Sequence, residues 1–400
     1  MIIDGPTIAS LTARLSEVDE RRVARYPGGL GGRQPVHTCY VPASKVGPTT
    51  PRDWGEQALA AMDEHGFDLS EDLTGRVKAK LAREPVEDLR IDFEDGYGAP
   101  VSEDDDARYA AGCLVRWHAE GIAPFTSGLR IKSFDTPGLR DRGIRTLDIF
   151  LETLGDPPPG FVITFPKVTA AEQVEVFAEL LAVFEQRLGR PDGSLKFEIQ
   201  VETTQSIVDS DGRLAIPRFI AAGGPRVTGL HFGTYDYTAA CGLGAGQQHL
   251  GHHACDFARH VMQVSAAGTG IRLSDGSSNV LPVGETPAVL AAWRVHYGLV
   301  RRSLEHGFFQ GWDMHPAQLV TRYAAVFGYY RESLAGDARR LAAYATRAES
   351  GLLDEPATAQ ALSASLLRSV DCGAATAEEI TQATGLHLDV LRAFYERAIQ

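Results

Sequence analysis

The chain is poor in cysteine, in long apolar runs and in positive charge. Its five cysteines (Cys39, Cys113, Cys241, Cys255 and Cys372) are scattered over 400 residues with no CxxC pair. That excludes a disulfide framework and a Cys₄ zinc site, and it fits a reducing compartment. No run of about eighteen apolar residues occurs, so no membrane-spanning helix is expected. The start, MIIDGPTIASLTARLSEVDE, lacks a basic segment followed by an apolar one, and a cytoplasmic location without a secretory signal is expected. Lys and Arg number 39 against 52 Asp and Glu, a net charge of −13, which excludes a broad attraction to nucleic acid or to an anionic membrane. Anionic ligands would then need a local exception, a few Arg side chains or a metal ion. The 41 Gly and 21 Pro follow no fixed period, and 44% apolar with 23% charged residues is a globular composition.

What is present is a regular alternation. Apolar runs rich in β-branched and aromatic residues recur at 36–42, 89–95, 128–134, 161–168, 196–203, 227–237, 279–284 and 308–316. Most read as continuous, as expected of parallel strands covered on both faces. Between them lie segments of helical spacing, clearest at 170–188, 252–267 and 286–307. About eight strand–helix cycles over residues 36–330 match the size and rhythm of an α/β (β/α)₈ barrel. A doubly wound sheet is the competitor, but no GxGxxG follows the first strand. Residues 1–35 read as a short polar helix (8–24) and a Gly/Pro loop. Residues 331–400, Ala-rich and without strand signal, read as a helical C-terminal extension that could cap the mouth or meet another subunit.

In barrels the active site lies at the C-terminal strand ends. Here the second strand ends in Asp92, Glu94 and Asp95 within DFEDGYG, the third carries Arg130, and the fourth ends FPK with Lys167. The fifth ends at Glu202 and the sixth, GTYDY, at Asp236. Glu202 and Asp236 together are expected to hold Mg²⁺, which keeps several waters and is rarely caged by protein alone. Either acid could instead cap a helix or pair with an Arg. Glu94 and Asp95 are candidates to orient metal-bound water or to tie down a loop. Arg130 suits a substrate carboxylate, a planar fork meeting two oxygens, unless it pairs with a rim acid. Lys167 could form a Schiff base, but acids around it would keep it protonated. His315 at the last strand end is a helix cap or a rim hydrogen bond. The HLGHH cluster at 249–253 is expected to be a surface loop, and the acidic run 102–108 a solvated helix start.

These motifs resemble the aldolase/citrate lyase β-subunit family, related to malate synthase and to the phosphoenolpyruvate/pyruvate barrel enzymes. DFEDGYG is similar to the family's LEDA/LEDG strand end, LRIKS to its Arg-bearing strand, and FPKV to its PKV. VET resembles its metal-binding Glu, GTYDY its GxxDL and the WDY of malate synthase, and GFFQGWDMHPAQL its closing strand and HPxQ turn. The resemblance spans roughly residues 36–370. It departs at Tyr97 and at the Tyr after Asp236.

The resemblance implies a carbon–carbon lyase or aldolase acting on a small 2-oxo or 2-hydroxy carboxylic acid, or its CoA thioester, through a metal-stabilised enolate. Glu202 and Asp236 would hold Mg²⁺ or Mn²⁺, and Arg130 would grip the substrate. Asp354, in an Asp-x-Pro setting, would act as a further acid from a lid, in a homo-oligomer on a neighbouring subunit's site. Asp92, Glu94, Asp95, Tyr97 and His315 would support or contact the substrate. Alternatives on the same site are a malate-synthase-like Claisen condensation, thioester hydrolysis, a Schiff-base aldolase using Lys167, and a barrel that binds small acids without turnover.

Overall fold

A computed structural model describes residues 2–29, 32–346 and 355–397. Eight strands form one sheet: β1 (His37–Pro42), β2 (Asp88–Asp92), β3 (Thr126–Arg130), β4 (Phe161–Phe165), β5 (Lys196–Val201), β6 (Val227–Phe232), β7 (Arg272–Ser274) and β8 (Gly311–Asp313). Each pairs in parallel with its neighbour, in the order β7-β6-β5-β4-β3-β2-β1-β8. The ring closes between β7 and β8. Ser274 bridges Gln310, Asp275 N–H donates to Gln310 O at 2.8 Å, and Trp312 N–H donates to Gly276 O at 3.2 Å. This is the expected (β/α)₈ barrel with a helical C-terminal extension.

The strands are not continuously apolar. In β2, Leu89 and Ile91 join the core against the helices, while Asp88, Arg90 and Asp92 alternate with them. In β5, Phe197, Ile199 and Val201 pack outward, where Phe197 meets Phe177 of the helix Ala171–Arg187 at 5.1 Å. Lys196, Glu198 and Gln200 alternate with these three. Arg90 Nε reaches Glu198 Oε1 at 2.9 Å, and β2 lies three places from β5. The bond therefore crosses the barrel interior. Both faces are buried, as expected of parallel strands, but the inner face is polar rather than the usual layers of branched apolar side chains.

Two strand assignments are corrected. Residues 279–284 form no strand, and the seventh strand is the three-residue Arg272–Ser274. The sixth ends at Phe232, so Asp236 stands in the first turn of the short helix Thr234–Ala240. At the amino end, the helical segment at 8–24 is two helices, Gly5–Ala13 and Ser16–Arg25, neither with a buried residue. The helix Gln318–Thr346 runs unbroken through residue 330. Its first half packs on the barrel through Leu319, Val320, Tyr323 and Phe327. Its second half contributes Ala338 and Leu341 to a separate core with Leu362, Leu366, Ile380, Leu391 and Phe394.

Candidate active site

The C-terminal mouth is organised around Arg130. Its Nε and Nη2 donate to Asp92 Oδ1 and Oδ2 at 2.7 and 2.8 Å, and its Nη1 donates to Gln200 Oε1 at 3.2 Å. Glu94 Oε2 lies 3.4 Å from Nη1. The guanidinium carbon stands 4.9 Å from the Tyr40 ring centre and 5.9 Å from that of Trp312. The Asp92 carboxylate also accepts the N–H groups of Glu94 and Gly96 at 2.9 and 3.0 Å, so it shapes the loop after β2. A Cβ on Gly96 would come within 2.8 Å of Asp92 Oδ2, so that approach depends on glycine.

Lys167 stands opposite, after β4, with a left-handed φ of 51°. Such a conformation is unusual for a residue with a Cβ and draws attention to function. Its N–H donates to Glu202 Oε1 at 2.8 Å. Its Nζ lies 3.0 Å from Asp95 Oδ2, 3.2 Å from Glu94 Oε1 and 3.3 Å from Asp236 Oδ2. Glu202 Oε2 accepts from Gln200 Nε2, so Gln200 links the Arg130 side to the Glu202 side. A Cβ on Gly233 would lie 2.4 Å from Glu202 Cβ, so glycine there makes room for the acid. Asp95, Glu202 and Asp236 each offer an oxygen, and these oxygens all lie within 4.8 Å of one another.

The cluster is short of positive charge. Burial pushes the Glu202 carboxyl up to about 8; Glu94 and Asp236 add to the push, against Lys167 and Arg130. Burial likewise takes Glu94 up to about 7, opposed by Arg130 and Lys167. Burial also acts to raise Asp95, but the hydrogen bond with Glu94 and the charges of Lys167 and Arg130 outweigh it and lower the pKa. Burial disfavours the Lys167 ammonium, yet Glu202, Glu94, Asp95 and Asp236 outweigh it and hold its pKa above that of ordinary lysine. The amine is therefore kept charged, which withholds the neutral nucleophile that imine formation needs.

The structure thus brings together Asp92, Glu94, Asp95, Arg130, Lys167, Glu202 and Asp236. The two-oxygen fork of Arg130, assigned from sequence to a substrate, is occupied by Asp92. Three of its five N–H groups are already donated to Asp92 and Gln200. Tyr97 turns to the barrel's outer wall: its hydroxyl donates to Asp106 Oδ2 at 2.5 Å and its ring lies 5.4 Å from Phe93. His315 Nδ1 accepts from Ala317 N–H at 3.2 Å, a cap on the turn after β8; burial, then Lys45, lowers its pKa. Asp354 lies outside the described residues. In the 249–253 cluster, His252 Nδ1 caps a helix by accepting from Ala254 N–H at 3.1 Å. Glu103, in the run read as solvated, is 2% exposed and faces Lys132 and Arg142. Sequence reasoning missed Gln200, Tyr40 and Trp312. Gln200 was within reach, since it stands on β5 two residues before Glu202, which follows the strand in the same extended course and so shares its face.

Fold and site together define a (β/α)₈ barrel with a carboxylate-rich, partly cation-balanced mouth. The chain belongs to the family described as "Domain of unknown function (DUF6986)", which matches residues 15–399. The L-malyl-CoA/β-methylmalyl-CoA lyase of Haloarcula marismortui is 34% identical over 111 residues, 28% of this chain and 30% of that enzyme. The chain therefore matches less than a third of the length of that relative. Among solved structures, native malate synthase of Haloferax volcanii aligns with a TM-score of 0.52 and 16% identity, covering 92% of this chain and 99% of that one. Its magnesium/glyoxylate complex gives 0.51 and 18%, covering 73% and 75%. At these identities the likeness is one of fold. The relatives agree with the group that the motifs resemble.

Proposed function

We propose that this chain is a carbon–carbon lyase for a small 2-oxo or 2-hydroxy carboxylic acid or its CoA thioester, with Mg²⁺ held by Glu202, Asp236 and Asp95. The observation that carries this reading is the convergence of these three carboxylates, oxygens within 4.8 Å, beside the buried Arg130 and the half-buried Lys167. The all-oxygen donor set suits a hard divalent ion. Burial, with Glu94 and Asp236 beside it, pushes the Glu202 carboxyl up to about 8, and a bound cation would offset that. The local identity to a malyl-CoA lyase and the magnesium in the malate synthase complex support the same reading.

Bound Mg²⁺ would supply Lewis-acid polarisation of a carbonyl and charge for a developing enolate oxygen. The chain's own groups do the rest. Up to two Arg130 N–H groups not given to Asp92 or Gln200 serve as donors to the substrate carboxylate. Glu94, 3.4 Å from Arg130 and 3.2 Å from Lys167, has a pKa near 7 and is suited to exchange a proton at neutral pH. It takes the substrate hydroxyl proton as the carbon–carbon bond breaks. The bonding pair passes to the carbon beside the carbonyl, forming the enolate, and Glu94 returns the proton it took to that carbon, which leaves the carboxylate ready for another turnover. Lys167 stays an ammonium that fixes Glu94, Asp95 and Asp236. The same groups serve condensation in reverse.

The test is glyoxylate release from L-malyl-CoA. Expected are turnover with Mg²⁺, loss in excess chelator and recovery on adding Mg²⁺ back. Asp236→Asn should lower turnover by about 10²–10³-fold, the scale for losing one electrostatic contributor to such a transition state. Full turnover in chelator, or covalent trapping of substrate on Lys167 by borohydride, would overturn the reading.

A further inference from the structure

The opposite end of the barrel holds a cavity of about 960 Å³ that the mouth chemistry does not use. It opens at the amino ends of the strands. Its inner wall is Asp88, Thr126, Lys196, Glu198, His231 and Arg272, and its outer wall includes Pro157, Pro158, Pro159, Ile220, Pro225 and Ile271. Gly229, an inward position of β6, leaves room at the inner wall. The layer above separates this space from the mouth: Arg90 Nη2 meets Glu198 Oε2 at 2.8 Å and Arg90 Nε meets Thr164 Oγ1 at 3.1 Å.

We infer that this floor cavity is a second binding site, for a small organic anion with a carboxylate or phosphate head and an apolar body. Charge favours an anion: the lining carries Arg25, Arg90, Arg190, Lys196 and Arg272 against Asp88, Asp156 and Glu198, in a chain whose net charge is −13. Arg90 is matched by Asp88 and Glu198, and Arg190 by Asp156. Lys196, which donates to Pro225 O at 2.9 Å, has no carboxylate among its described contacts, and Arg272 stands near Asp88. Burial, against the pull of Asp88, lowers the pKa of Arg272.

Unsatisfied groups point the same way. His231 is 2% exposed, and its Nε2 is engaged with Glu198 Oε2 at 2.9 Å while its Nδ1 is buried without a partner. Thr126 Oγ1, also on the cavity wall, is likewise buried and unpartnered. Buried polar atoms in folded proteins are nearly always paired. The proline and isoleucine rim supplies the apolar surface that a ligand body needs.

The test uses 8-anilinonaphthalene-1-sulfonate, an organic anion with an apolar body, titrated against the full chain with fluorescence readout. One saturable site is expected, displaced by inorganic phosphate or by acetate, and not by sodium chloride at equal ionic strength. Displacement by phosphate alone or acetate alone identifies the head group. Lys196→Met removes a cation, and Ala221→Trp on the exposed helix rim fills the entrance. Each should weaken the probe at least tenfold with unchanged circular dichroism, while Asp236→Asn at the mouth leaves it unaltered. Undiminished binding in both floor variants, displacement by sodium chloride, or loss in Asp236→Asn would overturn the assignment.

Discussion

Glu198 and Glu202 stand on the same face of one chain segment, four residues apart and both buried, yet their acidities move in opposite directions. Burial works to raise Glu198, but Arg90 and His231 outweigh it and hold it well below the usual carboxylate range. Burial pushes Glu202 up to about 8, with Glu94 and Asp236 adding to the push and Lys167 and Arg130 unable to offset it. The middle layer of the barrel is a matched network, with Arg90 held by Asp88 and Glu198 and with His231 on Glu198. The mouth is a mismatched one. Burial alone therefore does not mark a site; burial with unbalanced charge does.

The largest expected effect tests the matched layer. Arg90→Met should leave Asp88 and Glu198 buried without their cation and cost about 3–5 kcal/mol of stability, the scale for breaking a buried ion pair from one side. Denaturant unfolding measures it. A loss below about 1 kcal/mol, where exposed pairs fall, would break the comparison, because the middle layer would then not depend on its charge balance.

The mouth should show the opposite sign. With its pKa raised from 4.5 to about 8, the folded state holds a proton on Glu202 that the unfolded chain releases above pH 4.5. Between those values the folded state binds more protons, so stability falls as pH rises. Without divalent metal, wild type should lose on the order of a few kcal/mol from this group between about pH 5 and 8. Glu202→Gln should remove that part of the slope, and Mg²⁺ should flatten it in wild type. Equal slopes for the two proteins in metal-free unfolding series would show that Glu202 is already balanced.

Much of this was legible in the chain. DFEDGYG, LRIKS, FPK, VET and GTYDY named the rim groups that the structure gathers, because strand ends and their polar residues are local features. The inner layer was harder to see. Lys196, Glu198 and Gln200 interrupt the apolar residues of β5, but a period of two inside a closed barrel looks like a half-buried strand until the ring is known to close. β7 was missed for a related reason. Three residues with Arg272 and Ser274 beside Leu273 carry little apolar signal, while 279–284 carries more and joins no strand. Asp236 was placed at a strand end although Gly233 starts a turn into a helix, a change set by the fit against Glu202. Asp95 read as an outer acceptor because its distance to Glu202 and Asp236 depends on how the loop after Asp92 folds.

The smallest effect concerns that loop. Tyr97 ties it to the outer wall through Asp106, and Lys132 ties it to β3, donating to Phe93 O at 2.8 Å and Gly98 O at 2.5 Å. If the wall rather than the substrate uses Tyr97, then Tyr97→Phe keeps the ring against Phe93 and loses one hydrogen bond, at a cost of about 1 kcal/mol. Asp106 retains the Ser102 hydroxyl at 2.9 Å, which limits the loss. KM and kcat should then change less than about threefold, since 1.4 kcal/mol is tenfold and only part of the change reaches the loop. Unfolding and steady-state kinetics on the same preparation separate the two roles. A KM raised tenfold with stability unchanged would move Tyr97 from the wall to the substrate, and would extend the mismatched mouth one residue further along the loop than the structure draws it.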